Sequence, residues 1–172
     1  MFRFWQKAAL ILLLAVGLLI GTLQSTVAQV TRYPIPDSDF PISQAVSVPP
    51  ETTLIYVSGQ VPSVVDESAE PDSIAAFGDT TTQTVNVLEQ IQSILERLDL
   101  TMGDVVKMQA FLVGDPDNGG QMDFGGFMEG YTQFFGTETQ ANLPARSAMQ
   151  VAGLVNPGWL VEIEVVAAQS QS

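Results

Sequence analysis

One arginine and two glutamates near the carboxy terminus carry most of the chemistry this sequence offers. Arg146 stands in Leu143-Pro144-Ala145-Arg146-Ser147, and Glu162 and Glu164 alternate with Val161, Ile163 and Val165 in an apolar run. A guanidinium presents a planar fork that takes a carboxylate through two parallel hydrogen bonds. A carboxylate in apolar surroundings can orient a water or accept its proton. Residues two apart on a strand share a face at about 7 Å, so Glu162 and Glu164 can line one recess. This admits capture of a small carboxylate by Arg146 and a water placed by one of the glutamates, and the plainer alternatives are an arginine paired with a surface acid and two solvated acids on an edge strand. A plain hairpin of the last two strands would set Arg146 opposite about residue 165, three to four residues or ~10–13 Å along the strand from Glu162. Either the register differs, or one long ligand spans both residues, or they act from different subunits. Ser58 has no visible base beside it, so it is expected to hydrogen-bond and not to attack.

Composition narrows the alternatives. The chain has 172 residues, enough for one domain with a real core, and contains neither cysteine nor histidine. That removes thiolate nucleophiles, disulfides, histidine triads and the usual zinc ligands. Six basic residues face nineteen acidic ones, a net charge of −13. Without the first 28 residues the count is four against nineteen, or −15. Such a field repels phosphate backbones, so nucleic acid is not an expected partner.

Arg3 and Lys7 precede an apolar run from Ala8 to Leu23, which ends in polar Gln24-Ser25-Thr26 and the small-residue site Thr26-Val27-Ala28. A run of sixteen residues falls short of the roughly 20 that span a bilayer. Residues 1–28 are therefore read as a cleaved signal peptide and 29–172 as the working domain, periplasmic or secreted and not held in a membrane after cleavage, with an uncleaved membrane anchor as the alternative.

The elements that must position Arg146 and Glu162 follow from periodicity. Gln29 to Asp39, with Pro34 and Pro36, reads as an extended lead-in. Gln44–Val48 and Thr52–Ser58 read as strands joined by a tight turn, and 62–77 as a surface loop. Asp79 caps a helix with a stripe of Val85, Leu88, Ile91, Ile94, Leu95 and Leu98. Val105–Val113 is a strand, and Phe124, Phe127, Met128, Tyr131, Phe134 and Phe135 mark a second helix whose aromatics are expected in the core. Strands at 145–151 and 160–168 end the chain. The order β-β-α-β-α-β-β, with two one-sided helices, predicts an α+β sandwich: one mixed sheet with both helices on one face. The other face, where Leu160, Glu162, Glu164 and Val166 would point, mixes apolar and acidic residues and is expected to be buried against further copies of the chain.

Several pieces, in this order, resemble the Rid, or YjgF-type, reactive-intermediate deaminases: Pro41-Ile42-Ser43-Gln44-Ala45, Val57-Ser58-Gly59-Gln60, Gly103-Asp104-Val105-Val106-Lys107, Tyr131-Thr132-Gln133-Phe134-Phe135, Pro144-Ala145-Arg146-Ser147 and Val161-Glu162-Ile163-Glu164. The resemblance implies a chorismate-mutase-like fold of the bacillus type and a homotrimer with sites at the subunit interfaces. It implies hydrolysis of 2-imino or enamine acids to 2-oxo acids and ammonia, with no cofactor or metal. By position it makes Arg146 the carboxylate grip, Glu162 the partner of the attacking water, and Ser58 and Gly59 pocket-lining residues. Ile42 and Met128 fall where such deaminases commonly carry a tyrosine and an asparagine, and Ala148 replaces a frequent cysteine. The implied pocket is therefore more apolar, and a non-catalytic trimeric module binding a small carboxylate or apolar acid is the alternative.

Overall fold

The computed structural model describes residues 29–169, so the signal-peptide expectation for 1–28 lies outside the described residues. Two short 3-10 turns apart, at Met102–Asp104 and Pro116–Asn118, the described residues form nine elements: β1 (Thr31–Pro34), β2 (Ser43–Ser47), β3 (Thr53–Gln60), the single helical turn α1 (Ile74–Phe77), α2 (Thr80–Glu96), β4 (Val105–Val113), α3 (Phe124–Tyr131), β5 (Ala145–Val151) and β6 (Val161–Gln169). The six strands form one mixed sheet in the order β1-β2-β5-β4-β6-β3. β5 runs parallel to both β2 and β4, and the remaining pairs are antiparallel.

Alternation along the central strands decides where the core lies. Met108, Ala110 and Leu112 of β4 and Val161, Ile163, Val165 and Ala167 of β6 are buried, while Lys107, Gln109, Phe111, Glu162 and Glu164 between them are not. The buried set meets Val87, Leu88, Ile91 and Leu95 of α2, and Phe127, Tyr131 and Phe135 of and just after α3, in one core. Two helices on one face of a mixed sheet is the α+β architecture that the periodicity predicts. The other face is left open, with Tyr56 76% exposed and Met149 and Leu54 also exposed.

Asp79 caps α2 by accepting from the Thr82 amide at 2.8 Å. Three stripe positions differ from expectation: Val85 and Ile94 are only half-buried, and Leu98 falls beyond the helix and is exposed. Polar Gln83 and Thr84 are buried instead. Gln83 donates to the Gly78 and Gly158 carbonyls at 2.8 and 2.9 Å and accepts from the Leu160 amide at 2.7 Å, tying the start of β6 to the helix. Thr84 faces Gly130 of α3, where a Cβ would come within 2.7 Å of the threonine Cβ, so the glycine sets how closely the helices pack.

Four stretches depart from the sequence expectation, and the order becomes β-β-β-α-α-β-α-β-β. The lead-in is not unstructured: Thr31–Pro34 pairs antiparallel with β2, and its register slips between Tyr33 and Pro34. An edge strand tolerates a proline because one side of it needs no donor. Arg32 secures this strand by donating from Nη2 to the Gly103 and Val105 carbonyls at 2.8 and 3.1 Å. β2 and β3 are not a hairpin, because β3 pairs with β6 at the far edge. Nor are β5 and β6, since β4 lies between them and pairs with both. Within 62–77 the chain is mostly loop, but α1 buries Ala76 and Phe77.

Candidate functional site

Arg146 lies opposite Met108 on β4, which lies opposite Val165 on β6. Paired residues share a face, and Met108 and Val165 face the helices, so the arginine runs under α3. Its guanidinium carbon is 4.2 Å from the centre of the Tyr131 ring, 5.1 Å from Phe127, 5.5 Å from Phe40 and 5.9 Å from Phe124. Nη2 donates to Met128 Sδ at 3.2 Å, and Nη1 is buried with no hydrogen-bond partner among the described residues. Tyr131 is itself fixed by donating its hydroxyl to the Pro41 carbonyl at 2.9 Å.

Aromatic faces attract a cation without neutralising it. The arginine is thus held in place with its capacity for an anion unspent. Burial pulls its pKa below the ordinary arginine value, against the opposing influence of Tyr131. The Tyr131 phenol is pushed well above its usual 10, again by burial, with Arg146 acting in the other direction. A cation so desolvated gains more from an anionic ligand than an exposed one would.

Access to Arg146 comes from a gap in the sheet. β2 and β5 share a single paired position, Ser43 with Ala145. Beside that junction is a recess of about 420 Å³ lined by Ile35, Ile42, Ser43, Lys107 and Arg146, among others.

Glu162 lies elsewhere. It pairs with Phe111, three positions along β6 from the Val165 row, and projects from the open face. Three residues along a strand and two strands across place its Cα roughly 14 Å from that of Arg146, with the two side chains on opposite sides of the sheet. Gly59 packs against it so closely that a Cβ at position 59 would overlap the Glu162 carboxylate. This contact sits where the β3–β6 register slips between Val57 and Gln60, and Gln60 Nε2 donates to the Ser58 carbonyl at 2.9 Å across the same bulge. Ser58 is exposed and, with Tyr56, Lys107, Gln109 and Glu164, lines a second recess of about 260 Å³ on the open face.

The expected site residues therefore fall into two groups. Arg146, Ile42 and Met128 come together at the β2–β5 gap; Ser58, Gly59 and Glu162 come together at the end of β3. Within one chain the groups do not meet. Of the three arrangements the sequence left open, the register does differ from a hairpin, yet it separates the pair further. Phe40 was missed altogether, and Phe124, Phe127 and Tyr131 both build the core and surround the arginine. Their spacing of three and four on the helix next to a scarce arginine was the available signal.

The family described as Endoribonuclease L-PSP matches residues 35–169. A RutC family protein of Pyrococcus abyssi is 34% identical over 127 residues, 74% of this chain and 85% of that protein. The 2-iminobutanoate/2-iminopropanoate deaminase of Salmonella typhimurium is 33% identical over 117 residues, 68% of this chain and 80% of the enzyme. Among solved structures, E. coli TdcF with bound serine superposes with a TM-score of 0.53 at 31% identity, covering 72% of this chain and 91% of TdcF. With its mixed six-stranded sheet and a match across nearly all the described residues, the chain belongs to the endoribonuclease L-PSP family, the group that includes the YjgF-type, or Rid, proteins.

Proposed function

We propose that the protein hydrolyses reactive 2-imino and enamine acids to 2-oxo acids and ammonia. We further propose that it works as an exported cyclic homotrimer, pairing the Arg146 group of one subunit with the Glu162 group of the next. The observation that carries this is Arg146, a caged guanidinium that lines a recess and whose buried Nη1 has no hydrogen-bond partner among the described residues, in a protein of net charge −13. Two relatives lend support: one is named for deaminating 2-imino acids, and the other was solved with an amino acid bound.

In this reading Arg146 takes the substrate carboxylate in a bidentate pair and fixes the C=N carbon relative to Glu162. The glutamate accepts a hydrogen bond from a water, whose oxygen adds to that carbon. One proton of that water goes to the nitrogen as the carbinolamine forms; on collapse the hydroxyl gives up the other to the nitrogen, the C–N bond breaks, the C=O forms and ammonia leaves. Imines hydrolyse unaided, so proximity and fixed charge are enough to accelerate the step without a histidine.

A ligand-binding module without catalysis is the second reading, and Ile42 and Met128 favour it because neither can hold a water. RNA cleavage, which the family description suggests, fits poorly: the net charge repels a phosphate backbone and the chain has no histidine to serve as acid or base. The test generates 2-imino acids in a cuvette with an amino-acid oxidase and follows their decay. Acceleration by the purified protein that is lost in Arg146→Ala is expected. No acceleration across small and branched imines would exclude the deaminase, and acceleration that survives the substitution would exclude this site.

A further inference from the structure

Apart from one hydrogen-bonding fork, the surroundings of Arg146 are large and apolar. Ile35 and Ile42 line the recess, both half-buried. Phe40 is 40% exposed and stacks on Phe124 with ring centres 6.5 Å apart, and both rings lie within 6 Å of the guanidinium carbon. Met128 touches the guanidinium itself. The other polar groups at the recess are the Ser43 hydroxyl, which donates to the Leu143 carbonyl at 2.7 Å, the exposed Gln44, and Ser147 and Lys107, which project from the opposite face of the sheet.

Phe40 is also held in place. The Ile42 amide donates to the Phe40 carbonyl at 2.8 Å, closing a tight turn that the Tyr131 hydroxyl anchors at Pro41. An aromatic ring kept partly in water by a tethered turn, beside a cation with Nη1 unpartnered among the described residues, matches a ligand with one carboxylate and an apolar body. A three-carbon acid would pair with Arg146 and leave most of the 420 Å³ recess and its apolar wall wet.

We infer that the recess selects 2-imino and 2-oxo acids bearing a branched or aromatic apolar side chain, and that Phe40 and Ile42 set this selectivity. The inference rests on the carboxylate-binding role proposed for Arg146 but not on catalysis.

Equilibrium binding therefore tests it apart from turnover. Titration calorimetry on the purified protein compares 4-methyl-2-oxopentanoate and phenylpyruvate with pyruvate and 2-oxoglutarate. The two apolar acids are expected to bind at least about tenfold more tightly than pyruvate, the scale on which a hydrophobic pocket discriminates by added methylenes. 2-Oxoglutarate is expected to bind no better than pyruvate. Phe40→Ala and Ile42→Thr, each checked for native circular dichroism, should bring the ratio of apolar acid to pyruvate toward unity, and Arg146→Ala should abolish binding of all four.

Equal binding of pyruvate and the apolar acids overturns the inference. So does tightest binding of 2-oxoglutarate, which would assign Lys107 a second anionic group, and so does binding of none of the four. A ratio unmoved in both variants removes Phe40 and Ile42 from the role. If selectivity holds while no imine decays faster, the deaminase reading fails and this one stands; if imines decay faster with no preference among side chains, the reverse is true.

Discussion

At the scale of the residue, the two half-sites are built by opposite devices. Arg146 is surrounded by rings that hold its charge without spending it, whereas Glu162 is positioned by an absence, the missing side chain of Gly59. Replacing Gly59 with alanine forces the carboxylate to move, since the new Cβ would occupy its place. The expected result is a drop in kcat/KM for imine hydrolysis of at least about tenfold, as a misplaced catalytic group typically gives. Binding of 2-oxo acids by the Arg146 half should change less, and a variant with wild-type turnover would detach Glu162 from the reaction. Scarcity made Arg146 legible in the sequence, as one of six basic residues. Its cage was not, because Phe127 and Tyr131 satisfy the core stripe of α3 and the pattern gives no second reason for them.

At the scale of the element, the helices rest on local signals that can be tested one at a time. Asp79 accepts from the Thr82 amide, which holds its carboxyl below the ordinary 3.8. A depressed carboxyl contributes stability that is present above the unfolded value and lost as pH falls through the folded one. Asp79→Ala should therefore cost about 1 kcal/mol in urea unfolding at neutral pH, and Asp79→Asn much less. The gap between wild type and the alanine variant should narrow as the pH is taken below about 3.8. A gap independent of pH in that range would show that the cap works through something other than its charge.

Such local signals explain what could be read in advance. Asp79, the 3-4 spacing of Leu88, Ile91 and Leu95, and the strict alternation of 161–167 each identify an element from neighbours in sequence. Pairing is not a local property. β4 lies between β5 and β6 and pairs with both through its two backbone edges, and no feature of Ala145–Val151 announces a parallel neighbour. The strand at Thr31–Pro34 was hidden for a different reason: its hold on the fold comes through Arg32 and the Gly103 and Val105 carbonyls, seventy-odd positions away.

At the scale of the whole molecule, the open sheet face and the two separated half-sites point to the same remedy, further copies of the chain. Tyr56, Leu54, Phe111 and Met149 would be covered in the proposed trimer, and Glu162 would be carried toward a neighbour's Arg146. Sedimentation of the purified protein is expected to give a single species of three chains. The double substitution Tyr56→Glu, Met149→Glu should dissociate it and abolish imine hydrolysis at once, since each site would lose half its residues. A monomer that keeps full activity would refute the shared site.

The junction between β2 and β5 gives the molecule uneven local stability. One paired position, the Arg32 and Ser43 side chains and the Tyr131 hydroxyl fasten the β1–β2 ribbon, together with the packing of Phe40. β4 is paired along nearly its whole length on both sides. Opening of the ribbon costs far less than unfolding of the centre, which puts its amides among the fast-exchanging set. A ligand seated between Ile42 and Arg146 bridges the two parts, and its binding free energy adds directly to the cost of separating them. Occupancy of the recess is thereby written into the hydrogen-exchange rate of the first two strands.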